Sequence, residues 1–212
     1  MIAEIAKTLS GEYPKLNPIL CVEAPTGIGK TMAYLISCLP IAKANKKKLI
    51  IACANVALQE QILYKDIVEA KKLSSVEFEF AIAKGRSRYV CIRNLINLTE
   101  ETSNTQMLFE DALLWDEPPS QNQLKKLSEM TDSYSSTRWS GEIDDLESPP
   151  EFSLWQKVAC NRFTCTAKSC EFYNDCAFFK ARKKVSQADI IIANHDLVLA
   201  DKIGRSPCRE RV

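Results

Sequence analysis

The sequence predicts an α/β fold, a parallel sheet with helices on its faces, interrupted by a mostly helical insertion. Three observations predict it. Short apolar runs alternate with helical periods up to residue 83, and strands separated by helices pair in parallel. From Arg86 to about Lys184 that alternation stops. It returns in "QADIIIANHDLVLAD" (187–201), an apolar run of the kind buried on both faces of a sheet.

Residues 2–10 predict an amphipathic helix with Ile2, Ile5, Ala6 and Leu9 on one face. "PILCVEA" (18–24) predicts a buried parallel strand, 30–43 a helix, and "KKLIIACA" (47–54) a second buried strand. "NVALQEQILYKDIVEAKKL" (55–73) predicts one long helix capped by Asn55. "VEFEFAIA" (76–83) alternates and predicts a third strand. The insertion holds a polar run "TEETSNTQ", the breaker "DEPPS" and the acidic loop "GEIDDLESPPEF". The run 187–201 is expected to re-enter the first sheet, and the tail "KIGRSPCRERV" has no apolar period.

The 212 residues suffice for one sizeable domain, or a domain with a small insertion. A net charge of +1 means that any nucleic-acid surface must be local. The N-terminus has Glu4 and no long apolar core, so it is not a signal peptide. The longest apolar run, near Met32–Ala42, falls short of the roughly 20 residues that cross a bilayer. A cytoplasmic protein is therefore expected. There, nine cysteines, an odd number, point to metal ligation or plain burial, not a disulfide framework.

"PILCVEA" runs directly into "PTGIGKT" and then into a helix, the context that a Walker A phosphate loop requires. Gly27 and Gly29 let the backbone curl so that its N–H groups face phosphate. Lys30 supplies charge to the β- and γ-phosphates and Thr31 a hydroxyl to Mg²⁺. The nucleotide-binding set is Ala24, Pro25, Thr26, Gly27, Ile28, Gly29, Lys30 and Thr31, with Lys30 and Thr31 the catalytic pair and ATP with Mg²⁺ the ligands.

Cys165, Cys170 and Cys176 are separated by four and five residues, without the tight C-x-x-C pair usual in zinc sites. The wider spacing suits an iron–sulfur cluster, which takes four thiolates. Two cysteines are candidates for the fourth: Cys160, near in sequence, and Cys91 in "KGRSRYVC" at the other end of the insertion. Cys21, Cys38 and Cys53 lie in apolar runs and are expected to be buried small hydrophobes.

The chain resembles the N-terminal part of the DinG/XPD-type DNA helicases, the DinG branch more closely. "EAPTGIGKTMAYL" looks like their motif I, in its superfamily 2 spelling, and "LQEQIL" like the end of motif Ia. "KGRSRYVC", followed by C-x4-C-x5-C, "FFKAR" and "ADIIIANHDLV", looks like their iron–sulfur domain and the strand after it. The resemblance covers about residues 1–201. It implies an incomplete P-loop NTPase (RecA-like) sheet over 1–83 and 187–201, an iron–sulfur domain over 84–186, and an atypical tail over 202–212. It implies a [4Fe–4S] cluster and favours Cys91 over Cys160, so the ligand set becomes Cys91, Cys165, Cys170 and Cys176. It also implies ATP-driven 5′ to 3′ movement on single-stranded DNA and unwinding of DNA forks, in repair or replication, by a monomer with no membrane association.

Lys84, Arg86, Arg88 and Arg93 flank Cys91, and Lys180, Arg182, Lys183 and Lys184 follow Cys176. With Tyr89, Phe172, Tyr173, Phe178 and Phe179 among them, they form a candidate single-stranded DNA path, or else a solvated basic face over core aromatics. His195 is expected to be structural. No "DEAH" occurs, and the resemblance places one shortly after 188–193, so an N-terminal helicase fragment, inactive alone, is expected. The alternative is a non-catalytic, metal-clipped module that binds nucleotide or DNA. A family exonuclease fusion would need a nuclease domain that this sequence does not contain.

Overall fold

The computed structural model describes residues 1–13, 19–25, 27–74, 76–103 and 120–203. Thr26, Cys208, the tail beyond 203, the end of "TEETSNTQ" (104–106) and most of "DEPPS" lie outside the described residues. The chain divides into two compact units, Met1–Lys84 with Lys183–Val212, and Gly85–Arg182.

In the first unit the elements are α1 (Ile2–Ser10), α2 (Lys30–Ala44), β1 (Leu49–Cys53), α3 (Val56–Gln61), α4 (Ile67–Leu73), β2 (Phe80–Ala83), β3 (Ile190–Asn194) and α9 (His195–Ile203). Among the described residues the sheet has three parallel strands in the order β1-β3-β2, with Ile51 and Ile82 both in register with Ile192. The returning strand thus takes the centre. Its sequence IIIAN is apolar on both faces, and only a central position buries both. On one face Ile190 and Ile192 pack with Ile51, Cys53, Leu35, Leu39, Ile62 and Ile67. On the other, Ile191 and Ala193 pack with Ala81, Ala83, Val185 and Ala188.

Four expectations are corrected. Residues 19–25 form no strand, and Ile19, Leu20 and Val22 are 75%, 40% and 45% exposed. A strand persists only where a neighbour takes up its N–H and C=O groups, and no ladder partner for 19–25 occurs among the described residues. Cys21, expected to be buried, is exposed for the same reason. The run 187–201 is strand only to Asn194, whose Oδ1 accepts the Leu197 N–H at 2.9 Å and starts α9. Helix 55–73 begins as expected, with Asn55 Oδ1 accepting the Leu58 N–H at 2.9 Å, but a π turn at Ile62–Asp66 divides it. Five residues on a regular helix leave two side chains about 140° apart. The wider π turn brings Ile62 and Ile67, 1% and 0% exposed, onto the same core.

The second unit contains α5 (Ile92–Ser103), α6 (Gln121–Ser135), α7 (Phe152–Val158) and the first half of α8 (Ala177–Gln187). Ser120 and Gln123 close a capping box at the start of α6. The core gathers Tyr89, Val90, Leu95, Leu98, Leu127, Met130, Trp139, Leu154, Trp155, Val158 and Phe178. Both tryptophans satisfy their indole N–H groups, Trp139 on the Glu142 carbonyl at 2.7 Å and Trp155 on the Ser87 carbonyl at 2.8 Å.

Candidate functional sites

The phosphate loop has the backbone its glycines predict. Gly27 and Gly29 adopt φ of +83° and +80°, in the left-handed region that favours glycine, and Gly29 caps α2. Lys30 opens the helix and folds back over the loop, its Nζ donating to the carbonyls of Ala24 at 2.7 Å and Pro25 at 2.9 Å. The ammonium thus stays at the loop, beside the N–H groups of the first turn of α2, a local arrangement suited to an anion. Three residues beyond Thr31, the half-buried Tyr34 phenol has its pKa raised, chiefly by burial, with the neighbouring Thr31 opposing the shift. Ile28 projects into solvent, 56% exposed.

In the second unit five cysteines, Cys91, Cys160, Cys165, Cys170 and Cys176, line one cavity of about 420 Å³ including its mouth. An antiparallel bridge between Val90 and Ala159 ties the start of this unit to the residue that follows α7. Around it the Cys91 N–H donates to the Val158 carbonyl at 2.7 Å and the Cys160 N–H to the Tyr89 carbonyl at 2.8 Å. Cys91 and Cys176 immediately precede α5 and α8, and the Leu95 and Lys180 N–H groups close the first turns on their carbonyls. A helix N-terminus favours a thiolate. The Cys91 thiol is pulled down to about 6, first by the Cys160 S–H, with burial opposing and the Asn94 N–H and Arg93 assisting. Cys176 is likewise pulled down to about 6, first by Cys160, with burial opposing and the Phe179 and Phe178 N–H groups assisting. Cys160 is pushed up by its hydrogen bonds to Cys176 and Cys91 and by burial.

Among the described residues no group of three or more His, Cys, Asp or Glu side chains is gathered closely enough to hold a single metal ion. The donor set nevertheless suits a cluster. The cavity wall carries thiols, Arg93 and the aromatic rings of Phe172, Tyr173 and Phe179, with no carboxylate among them. A polynuclear cluster has an iron at each corner, so its thiolates stand farther apart than the ligands of one ion.

Most of the candidate DNA cations in the second unit are engaged by neighbouring groups. Arg86 and Arg182 stack on the buried Phe178 ring, 4.2 and 5.1 Å from its centroid. Arg88 pairs with Asp144, Arg93 donates to the Thr164 carbonyl at 2.8 Å, and Lys180 lies 3.3 Å from Asp175. Lys183 and Lys184 are exposed on α8. Of the aromatics, Tyr89 and Phe178 pack edge to face in the core, while Tyr173 and Phe179 meet at 4.5 Å with their planes tilted by 45° on the cavity wall. Phe163, not among the aromatics singled out from the sequence, is 80% exposed, with the Arg162 guanidinium 4.5 Å from its ring centroid. A ring between two polar residues shortly before Cys165 was the available signal. His195 is exposed at the start of α9. No helix among the described residues is long and apolar enough to cross a membrane.

Comparison with known proteins places these features in a family. The chain is 39% identical over 202 residues to the ATP-dependent DNA helicase DinG of Escherichia coli K12, covering 94% of this chain and 27% of the relative. It is 38% identical over 202 residues to the DinG of Salmonella typhimurium, covering 94% and 28%, and 39% identical over 201 residues to that of Photobacterium profundum, covering 95% and 28%. The chain thus spans little more than a quarter of the length of these relatives. Residues 6–130, which include the phosphate loop, match the family profile described as DEAD/DEAH box helicase, and the chain belongs to that family.

Proposed function

We propose that this chain is the nucleotide-binding, N-terminal part of an ATP-dependent DNA helicase. The observation that carries the reading is the phosphate loop, with Gly27 and Gly29 left-handed and Lys30 held at the loop carbonyls at the head of α2, in a chain of the DEAD/DEAH box family. Backbone N–H groups around Gly27–Gly29 would cradle the phosphates of ATP, Lys30 would release the two carbonyls to contact the β- and γ-phosphates, and Thr31 would reach Mg²⁺. The full motor would move 5′ to 3′ along single-stranded DNA and open forks as a cytoplasmic monomer in repair or replication. In-line hydrolysis also needs a second carboxylate on Mg²⁺ and charge opposite the loop, so residues 1–212 alone are expected to bind ATP and to turn it over weakly at most.

Cys91, Cys165, Cys170 and Cys176 would hold a [4Fe–4S] cluster in the five-thiol cavity, which as a bound group supplies rigidity to the unit and a one-electron redox centre. Lys84, Lys183 and the exposed face of α8 would guide the DNA strand, with Arg86 and Arg182 serving mainly to pack Phe178. One observation favours a second, non-catalytic reading. Residues 19–23 ahead of the loop are exposed and pair with no strand among the described residues, so the sheet does not pin that side of the loop. Equilibrium titration with a fluorescent ATP analogue tests the first reading: micromolar to millimolar binding that Lys30→Ala abolishes is expected, and unchanged binding in Lys30→Ala overturns the loop assignment.

A further inference from the structure

We propose that the Phe163 ring is a base-stacking contact for single-stranded DNA, with the Arg162 guanidinium beside it meeting a phosphate. The inference rests on the DNA-helicase reading above and adds to it a contact outside the basic runs that flank Cys91 and Cys176. Phe163 is 80% exposed, and the Arg162 guanidinium lies 4.5 Å from its ring centroid. The surrounding sequence carries one sign of charge. Lys157, Arg162 and Lys168 lie between Glu151 and Glu171, and no acidic residue does.

The backbone presents this ring on a tied turn. Cys160, just before the turn, is buried, and its N–H donates to the Tyr89 carbonyl at 2.8 Å. The Cys165 N–H closes the turn on the Asn161 carbonyl at 3.2 Å. Inside it, Asn161 Oδ1 accepts the Phe163 N–H at 2.9 Å, and Arg93 donates to the Thr164 carbonyl at 2.8 Å. Burial does not account for the ring, because a side chain left in water adds no hydrophobic stabilisation. A single exposed ring is ordinary on a protein surface. Phe152, 75% exposed at the start of α7, is such a ring, and it stands directly after Glu151. Phe163 differs in having a cation against its ring and no acid near it in the chain. Every base has a π-face, so a ring on a fixed turn can stack a base of any identity. A guanidinium held at the ring by cation–π attraction is already oriented for a phosphate, which it can meet with two N–H groups. The absence of acid from this stretch removes local repulsion of that phosphate.

The test is fluorescence anisotropy of a labelled thymidine oligonucleotide titrated with the anaerobically purified chain. Phe163→Ala should bind it roughly five- to hundredfold more weakly, the loss expected for one stacked base. Its salt slope should match wild type, because no phosphate contact is removed. Phe163→Trp should bind at least as tightly as wild type, and Phe163→Leu as weakly as the alanine variant, since leucine has bulk but no π-face. Arg162→Gln should flatten the salt slope by about 0.7, the value for one phosphate on a single strand. Phe152→Ala should bind as wild type does. Wild-type affinity in Phe163→Ala overturns the proposal, as does full affinity in Phe163→Leu or an equal loss in Phe152→Ala. A dimer that Phe163→Ala dissociates while DNA binding stays intact would assign the ring to a second copy and overturn it too. An oligonucleotide carrying abasic sites needs no variant: wild-type chain that binds it as tightly as the intact strand overturns the stacking equally. A wild-type chain that binds no single-stranded DNA removes this contact together with the DNA part of the reading, whereas the ATP titration still judges the phosphate loop.

Discussion

Replacing Gly141 with alanine should cost the second unit about 2–5 kcal/mol, a large share of the roughly 5–15 kcal/mol that holds a domain folded. Two separate costs combine. Gly141 has φ +89°, and a left-handed backbone costs an L-residue about 1–2 kcal/mol. The new Cβ would also stand 2.5 Å from Ala177 Cβ, 2.7 Å from Tyr134 Cε2 and 3.2 Å from Val90 Cγ1. None of these can yield cheaply. Ala177 Cβ moves only with the backbone of α8. Tyr134 is held by its hydroxyl on the Asp175 carbonyl at 2.5 Å and by its edge-to-face contact with Trp139. Val90 is fully buried and its N–H is bound to the Gly141 carbonyl at 2.9 Å. Overpacking of this kind adds about 1–3 kcal/mol.

The assay is urea unfolding followed by tryptophan fluorescence, since Trp139 and Trp155 both lie in this core. With a slope of about 1–3 kcal/mol/M, the midpoint should fall by at least about 0.7 M. Thr137→Gly is the opposite control: Thr137 is a β-branched residue at φ +57°, and relieving it should raise the midpoint. A Gly141→Ala midpoint within about 0.3 M of wild type would show that the close approach of α6, α8 and the Val90 strand is misjudged.

Phe178→Ala should destabilise the same unit by about 3–5 kcal/mol, because it removes a ring buried against Tyr89 and Phe179 and faced by Arg86 and Arg182. Phe163→Ala should stay within about 0.5 kcal/mol in the same urea assay, since that ring is exposed. Asp189 is held below the usual carboxylate range, first by the Glu79 N–H and then by Lys43. Its contribution is therefore present above about pH 3.9, the ordinary value, and is lost as pH falls through the lowered one. Asp189→Asn should cost about 1 kcal/mol or less at pH 7 and nothing further at pH 2, as read by thermal melts at both. For the cysteine site, Cys91→Ser should abolish the brown colour of anaerobically purified protein, and a fully coloured variant would remove Cys91 from the ligand set.

What local chemistry alone dictates was legible in the sequence. A helix period, a capping asparagine and glycines ahead of a lysine are set by neighbours a few residues away. So α1, the Asn55 cap and the left-handed Gly27 and Gly29 lie where the sequence puts them. The apolar run at 190–193 required burial on both faces, but only tertiary packing chose the slot between β1 and β2. The same dependence on partners undid the strand expected at 18–24, because an apolar run is a strand only when another strand satisfies its backbone. The π turn was invisible because it answers to the distance between Ile62, Ile67 and the sheet, not to any residue's propensity. At the cysteine site, spacing singled out the thiols. Their surroundings came from the fold, which places Cys91 and Cys176 at helix starts and Cys160 against the Val90 carbonyl.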